Sequence, residues 1–217
     1  MAQVSIFVGG IAALPASGRP TGMFKSPVLE GIELGIDGFA GDQQADRRVH
    51  GGPEKAVHFY PARHYLKLAA QFPDASPSLV AGSLGENLSS FDLDEGDVRI
   101  GDVWTLGEAQ LQVCQARNPC WKIDDRFSCE GMAAYIDQTL LTGWYWRVLV
   151  PGRVEPGNPL DLLIPASGAL TLRAAMELWR EHRPSLTELE LLSQTPGIAK
   201  NWKDKIEQRL SRLKTLF

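Results

Sequence analysis

The stretch VRIGDVWTLGEAQLQVCQ, residues 98–115, most limits what this chain can fold into. Two β-rich runs flank Gly107-Glu108, and so short a link between such runs suits a tight connection of neighbouring strands. WYWRVLVPGRV, residues 144–154, repeats the scheme, with Pro151-Gly152 expected as its turn. Near the start, Val4, Ile6 and Val8 alternate with other residues and read as a further strand. Regularly spaced short strands of this kind predict a closed or nearly closed β-barrel, because closure removes exposed strand edges.

Two helices are expected to interrupt the barrel. PARHYLKLAAQF, 61–72, opens with Pro61, which suits a first helical turn, and sets Tyr65, Leu68, Ala69 and Phe72 on one stripe. EGMAAYIDQTLL, 130–141, is the second, with Gly143 as its stop. From about residue 166 the apolar period becomes helical: Leu172, Ala175, Met176 and Trp179 form one stripe, and Trp202, Ile206, Leu210 and Leu213 another. Ser185 with Glu188 fits a capping box between them. The reading is mainly β with α: a barrel domain over residues 1–165, then a small three-helix domain over 166–217. The basic last helix reads as a solvated face.

Composition narrows the class of function. The chain has 217 residues with 44% apolar and 22% charged, enough for a real core. Its formal net charge of −4 argues against a general nucleic-acid binder. No apolar run approaches the ~20 residues needed to span a bilayer. The first residues lack the basic flank of a secretory signal. The three cysteines, Cys114, Cys120 and Cys129, do not make a paired framework. A reduced, cytoplasmic protein acting as monomer or homodimer is expected.

Three segments carry polar chemistry. GDQQADRRVHGGPEKAVHFYP, 41–61, surrounds Gly51-Gly52-Pro53 with Arg47, Arg48, His50 and Lys55. Glycines let backbone amides approach a ligand, and cations hold an anion; the competing reading is a charged surface turn. GSLGENLSS, 82–90, offers Asn87 and Ser89-Ser90 without charge, and alone reads as a polar turn. QARNPCWKID, 115–124, sets Cys120 between Arg117 and Lys122. Neighbouring cations favour a thiolate, which is both a better nucleophile and a better ligand. A basic loop shaped by Pro119 is poor core material, whereas Cys114, inside an apolar strand, reads as an inert small hydrophobe. Cys129 reads as structural, and His58 and His64 as partly buried polar groups. The cysteines and histidines have no zinc-site spacing. A cysteine protease with His50 as base lacks an identifiable third group.

Taken together, DRRVHGGPEKAV, LGENLSS, IGDVWTLGEAQLQV, QARNPCWKI and GWYWRVLVPGRVEPGN occur in the order seen in MOSC domains. The chain resembles most the YiiM-like branch, which adds a C-terminal three-helix domain. The resemblance implies a β-barrel that holds molybdenum cofactor, a pterin dithiolene with a phosphate. Cys120 takes the place of the family's metal-ligating, catalytic cysteine. Lys25, Ser26, Arg47, Arg48, His50, Gly51, Gly52, Lys55, Asn87, Arg117 and Asn118 become cofactor contacts by the same match. It further implies reduction of N-hydroxylated compounds, including base analogues such as 6-hydroxylaminopurine. No flavin or nicotinamide motif is present, so electrons would come from a separate flavin-type reductase. A persulfide carrier on Cys120, or a module that only sequesters cofactor, stands as the alternative. One departure is visible: the family often reads Q-P-R-x-P-C, and Ala116 replaces the first proline here.

Overall fold

The structure, a computed structural model, describes residues 2–46 and 51–215. Arg47, Arg48 and His50 therefore lie outside the described residues. In chain order the strands are β1 (Ala2–Gln3), β2 (Ser5–Val8), β3 (Ala12–Ala13), β4 (Pro20–Thr21), β5 (Ser26–Pro27), β6 (Ile32–Gly35) and β7 (Gly38–Phe39). They continue with β8 (Val57–Pro61), β9 (Leu88–Ser90), β10 (Val103–Leu106), β11 (Ala109–Ala116), β12 (Trp144–Val150), β13 (Gly152–Val154) and β14 (Pro159–Ile164). The α-helices are α1 (Arg63–Gln71), α2 (Lys122–Phe127), α3 (Met132–Thr139), α4 (Leu172–Arg180), α5 (Leu186–Ser193) and α6 (Lys200–Lys214).

Nine strands form the main sheet in the order β1-β14-β10-β11-β12-β8-β9-β2-β5. All its pairings are antiparallel except β8 with β9. The ladder does not close into a barrel, since β1 and β5 are its ends. Yet only Val4 separates β1, paired with β14, from β2, paired with β9. The sheet therefore curls until its two sides share one interrupted N-terminal strand.

The link at Gly107-Glu108 joins β10 to β11 as expected, with Leu106 opposite Ala109. Pro151-Gly152 does not join a hairpin: β13 leaves β12 and pairs with β6 in a separate three-stranded sheet. β13 is also tied back to the turn between β10 and β11. Arg153 N–H donates to the Glu108 carboxylate at 3.0 Å, and the Arg153 carbonyl accepts from Glu108 N–H at 3.1 Å. Pro61 ends β8 instead of opening α1. α3 stops at Thr139, before Gly143, because Leu140 takes a left-handed conformation at φ 59°. α2 has no counterpart in the apolar pattern.

One core cluster runs through the sheet and the C-terminal helices. Phe59 stacks on Trp144 at 4.2 Å between ring centroids. Leu172, Ala175, Ile206 and Leu210 from α4 and α6 belong to the same buried cluster. Each of the leucine and isoleucine side chains contributes about 1.5–3 kcal/mol on burial. Thr171 caps α4 by accepting from Ala174 N–H at 3.2 Å, and Ser185 caps α5 by accepting from Glu188 N–H at 3.3 Å. A smaller cluster, including Tyr65, Leu68, Ile123 and Ile136, lies under α1, α2 and α3. Among the described residues no helix is long and apolar enough to cross a membrane.

Candidate cofactor site

β8 is buried along its whole length, because it has core on one side and a polar cleft on the other. Register fixes the polar side. Gln115 of β11 lies opposite Tyr145 of β12, and Tyr145 lies opposite His58 of β8. Asn87, just before β9, extends this row: its Oδ1 accepts from His58 N–H at 3.1 Å. Residues directly opposite share a face, so the row presents Tyr145, His58 and Asn87 together.

Loops complete the cleft. Gly22 lets the segment before Lys25 pass against Gln43, whose carbonyl oxygen would lie 2.1 Å from a Cβ at that position. Gly9 does the same against Phe24, again with 2.1 Å to a carbonyl oxygen. This crossing brings Lys25 Nζ to 2.8 Å from Asp42 Oδ2, with side chains 5% and 1% exposed. Asp42 also accepts from Asn87 Nδ2 at 3.0 Å and from Gly9 N–H at 3.0 Å. Burial pushes the Lys25 ammonium below its ordinary range, and the Asp42 carboxylate pulls it back up.

Cys120 stands in the loop between β11 and α2, half-buried on the cleft wall. Its carbonyl accepts from Ile123 N–H at 3.0 Å, so α2 holds the loop. Long-range contacts hold α2 in turn. Asp125 accepts from Ala16 and Ser17 N–H at 3.0 and 3.2 Å, and Lys122 Nζ donates to the Pro20 carbonyl at 2.8 Å.

Arg117 is anchored through its N–H to the Gly143 carbonyl at 3.1 Å, and its side chain is buried. Burial raises the Tyr145 hydroxyl's pKa; the Arg117 charge opposes this and Cys120 adds to it, so both lie close to the ring. Burial pushes the His58 ring well below its ordinary value, helped by the Arg117 and Lys25 charges. His58 is therefore neutral near pH 7. Its Nε2 is buried without a hydrogen-bond partner among the described residues.

Lys25, Lys55, Asn87, Arg117, Asn118 and Cys120 thus come together on one cleft. Asn87 spends its amide on protein partners, including the Phe7 carbonyl at 3.2 Å. Ser26 is exposed on β5 and is not on the cleft wall. Gly51 and Gly52 are off that wall too; they precede the turn that carries Lys55, with Gly52 at φ 90°. Asp42, His58 and Tyr145 are the members that sequence reasoning did not assign to the site. Cys114 is fully buried, donates to the Glu54 carbonyl at 3.0 Å, and takes no part.

A thiol beside buried and half-buried cations, on the polar side of a curled sheet, is an arrangement that can hold an anion next to a soft ligand. The MOSC domain pattern matches residues 46–161. Protein YiiM of Escherichia coli (strain K12) is 36% identical over 207 residues, 95% of this chain and 91% of that protein. A reductase of Gibberella moniliformis (strain M3125 / FGSC 7600) is 32% identical over 160 residues, 73% of this chain but 28% of that protein. The crystal structure of YiiM from Geobacillus stearothermophilus superposes with a TM-score of 0.80 at 29% identity, covering 95% of this chain and 97% of that one. The chain belongs to the MOSC domain family, in its YiiM-like branch.

Proposed function

We propose that the chain is a molybdenum-cofactor-dependent reductase of N-hydroxylated compounds, fed with electrons by a separate flavin-type protein. The observation that carries this reading is the sharing of one cleft by Cys120 with Lys25, Lys55 and Arg117. The relative named a reductase supports the redox class.

The donor set fits such a group. Cys120 offers a soft sulfur to a transition metal. Lys25, Lys55 and Arg117 offer positive charge to an anionic pterin phosphate. His58 Nε2 is a buried polar atom that a ligand can satisfy. Cys120 would hold the metal, and the lysines and Arg117 would hold the organic anion, with Asn118 at the rim. When bound, the cofactor supplies a metal that can take oxygen from an N–O bond and cycle by two electrons.

The remaining work falls to the chain. Asp42 keeps the Lys25 ammonium in place. His58, held neutral by burial, can make a hydrogen bond at Nε2, as donor or acceptor according to its tautomer, without adding charge to the cleft. The Tyr145 ring and Arg117 shape the cleft wall beside Cys120.

Metal analysis and turnover of an N-hydroxylated purine with an artificial electron donor test the proposal. The native chain is expected to hold molybdenum and to turn over. Cys120→Ala is expected to lose metal and turnover while keeping its circular dichroism, since a half-buried loop thiol carries little packing energy. Undiminished turnover in that variant, or persulfide sulfur on Cys120 with no turnover in the native chain, overturns the reading.

A further inference from the structure

A second cleft of about 480 Å³ lies between the sheet and the C-terminal helices, a size suited to a small ligand. Arg117 and Asn118 line both clefts, so an occupant of the second lies beside the Cys120 site. Arg117 is 94% buried, and its Nη1 has no hydrogen-bond partner among the described residues. Such an atom calls for an acceptor that the protein does not supply.

Charge says what that acceptor is. Among the described residues, Arg117, Arg180, Lys205 and Arg209 line this cleft against a single carboxylate, Asp137, in a chain of net charge −4. Arg180 pairs with Asp137. Arg209 donates to the Trp179 and Glu181 carbonyls at the C-terminal end of α4, which carry no full negative charge. Lys205 is exposed, and its neighbours three and four residues away on α6 are Asn201, Trp202, Gln208 and Arg209, none of them acidic. Like charges at this spacing destabilise a helix, so Lys205 beside Arg209 carries a local cost. The field of Lys205 reaches Lys55 and depresses its pKa, second only to burial. Among the described residues Lys205 and Arg209 therefore have no carboxylate partner, and with Arg117, which the Cys120 cleft shares, they offer enough positive charge for a dianion.

The rest of the wall mixes polar groups with four large apolar side chains, Leu140, Met176, Trp179 and Trp202. Arg209 lies over the Trp179 ring at 5.2 Å from the centroid, which places positive charge next to aromatic surface. The Asn118 and Asn201 amides can read ring heteroatoms.

We propose that this cleft binds a mononucleotide-class ligand, a flat heteroaromatic ring that carries a phosphate. The phosphate faces Lys205, Arg209 and Arg117, and the ring lies against the tryptophan wall. The site stands whether or not the redox reading does, because binding is measured on the full chain without cofactor.

Calorimetric titration with AMP, adenosine and inorganic phosphate tests this. AMP is expected to bind at least about ten-fold more tightly than either part, as a site that engages both groups requires. Lys205→Ala is expected to weaken AMP about five-fold or more without changing adenosine, and higher salt to act in the same direction. Trp179→Leu is expected to weaken AMP but not phosphate. Circular dichroism checks that each variant folds. Equal affinity for AMP and adenosine, phosphate binding as tightly as AMP, no saturable binding, or AMP affinity indifferent to both variants overturns the proposal.

Discussion

Asp42→Asn replaces one oxygen with an amide and leaves the shape almost unchanged. It therefore isolates the charge that holds Lys25. The pair is buried at 2.8 Å, with side chains 5% and 1% exposed, so water does not replace the lost carboxylate. Removing one charge of a buried pair costs about 3–5 kcal/mol. Asparagine keeps one acceptor for Gly9 N–H, so the lower end, about 3 kcal/mol, is expected. In a chain of this length that lowers Tm by roughly 6–12 °C. The sign of the pH dependence follows from Lys25. Burial already holds its ammonium below the ordinary 10.5, with Asp42 opposing. Without Asp42 it falls further. Between the folded value and 10.5 the unfolded chain binds more protons, so stability rises with pH there. The deficit of the variant against the native chain should therefore narrow on going from about pH 7 to about pH 9.5. Urea unfolding followed by circular dichroism at both pH values measures it. A deficit under about 1 kcal/mol, equal at both, would show that Lys25 is solvated and that Asp42 does not position it.

Other expectations follow from single residues. Burial pushes the Cys114 thiol up to about 12, so it stays protonated and unreactive. Cys114→Ala should cost about 1–2 kcal/mol in urea unfolding and leave bound metal unchanged; a thiol reagent at neutral pH should modify Cys120 first. His58 is depressed well below 6.5, so its contribution is complete above about pH 6.5 and is lost as pH falls, when the unfolded ring takes up a proton. His58→Asn should flatten the stability profile between about pH 7 and 5.5 by about 1.4 kcal/mol, and an unchanged slope would mean that the ring titrates alike in the folded and the unfolded chain. Ile206 is fully buried in the cluster that spans sheet and helices. Ile206→Ala should cost about 2–5 kcal/mol and move one common transition, seen alike by tryptophan fluorescence and circular dichroism. Two separate transitions would show that the helices fold on their own.

What could be read from the sequence was local. Gly107-Glu108 between alternating runs specifies its own strand pair, and Trp202, Ile206 and Leu210 specify the buried stripe of α6. Pro151-Gly152 carries the same kind of signal and misleads, because β6, far away in the chain, takes β13 as its partner in another sheet. α2 is hidden for a related reason: Asp124 and Asp125 bond outward, to the backbone of Gly131 and Ala133 and of Ala16 and Ser17, and no apolar stripe announces it. The site divides along the same line. Cys120 and Arg117 are three residues apart, and their chemistry is legible without a fold. His58 and Tyr145 join them only through strand register across three strands, and Asp42 joins Lys25 only where two glycines let backbones touch. A one-residue slip of β8 would exchange His58 for core side chains. The groups that can bind metal and anion are thus written in short motifs, while the groups that set their charge and position are written in register and close backbone crossings. Hence a substitution at Asp42 or Gly22 can disable the cleft as surely as one at Cys120, although neither carries a chemical signature of its own.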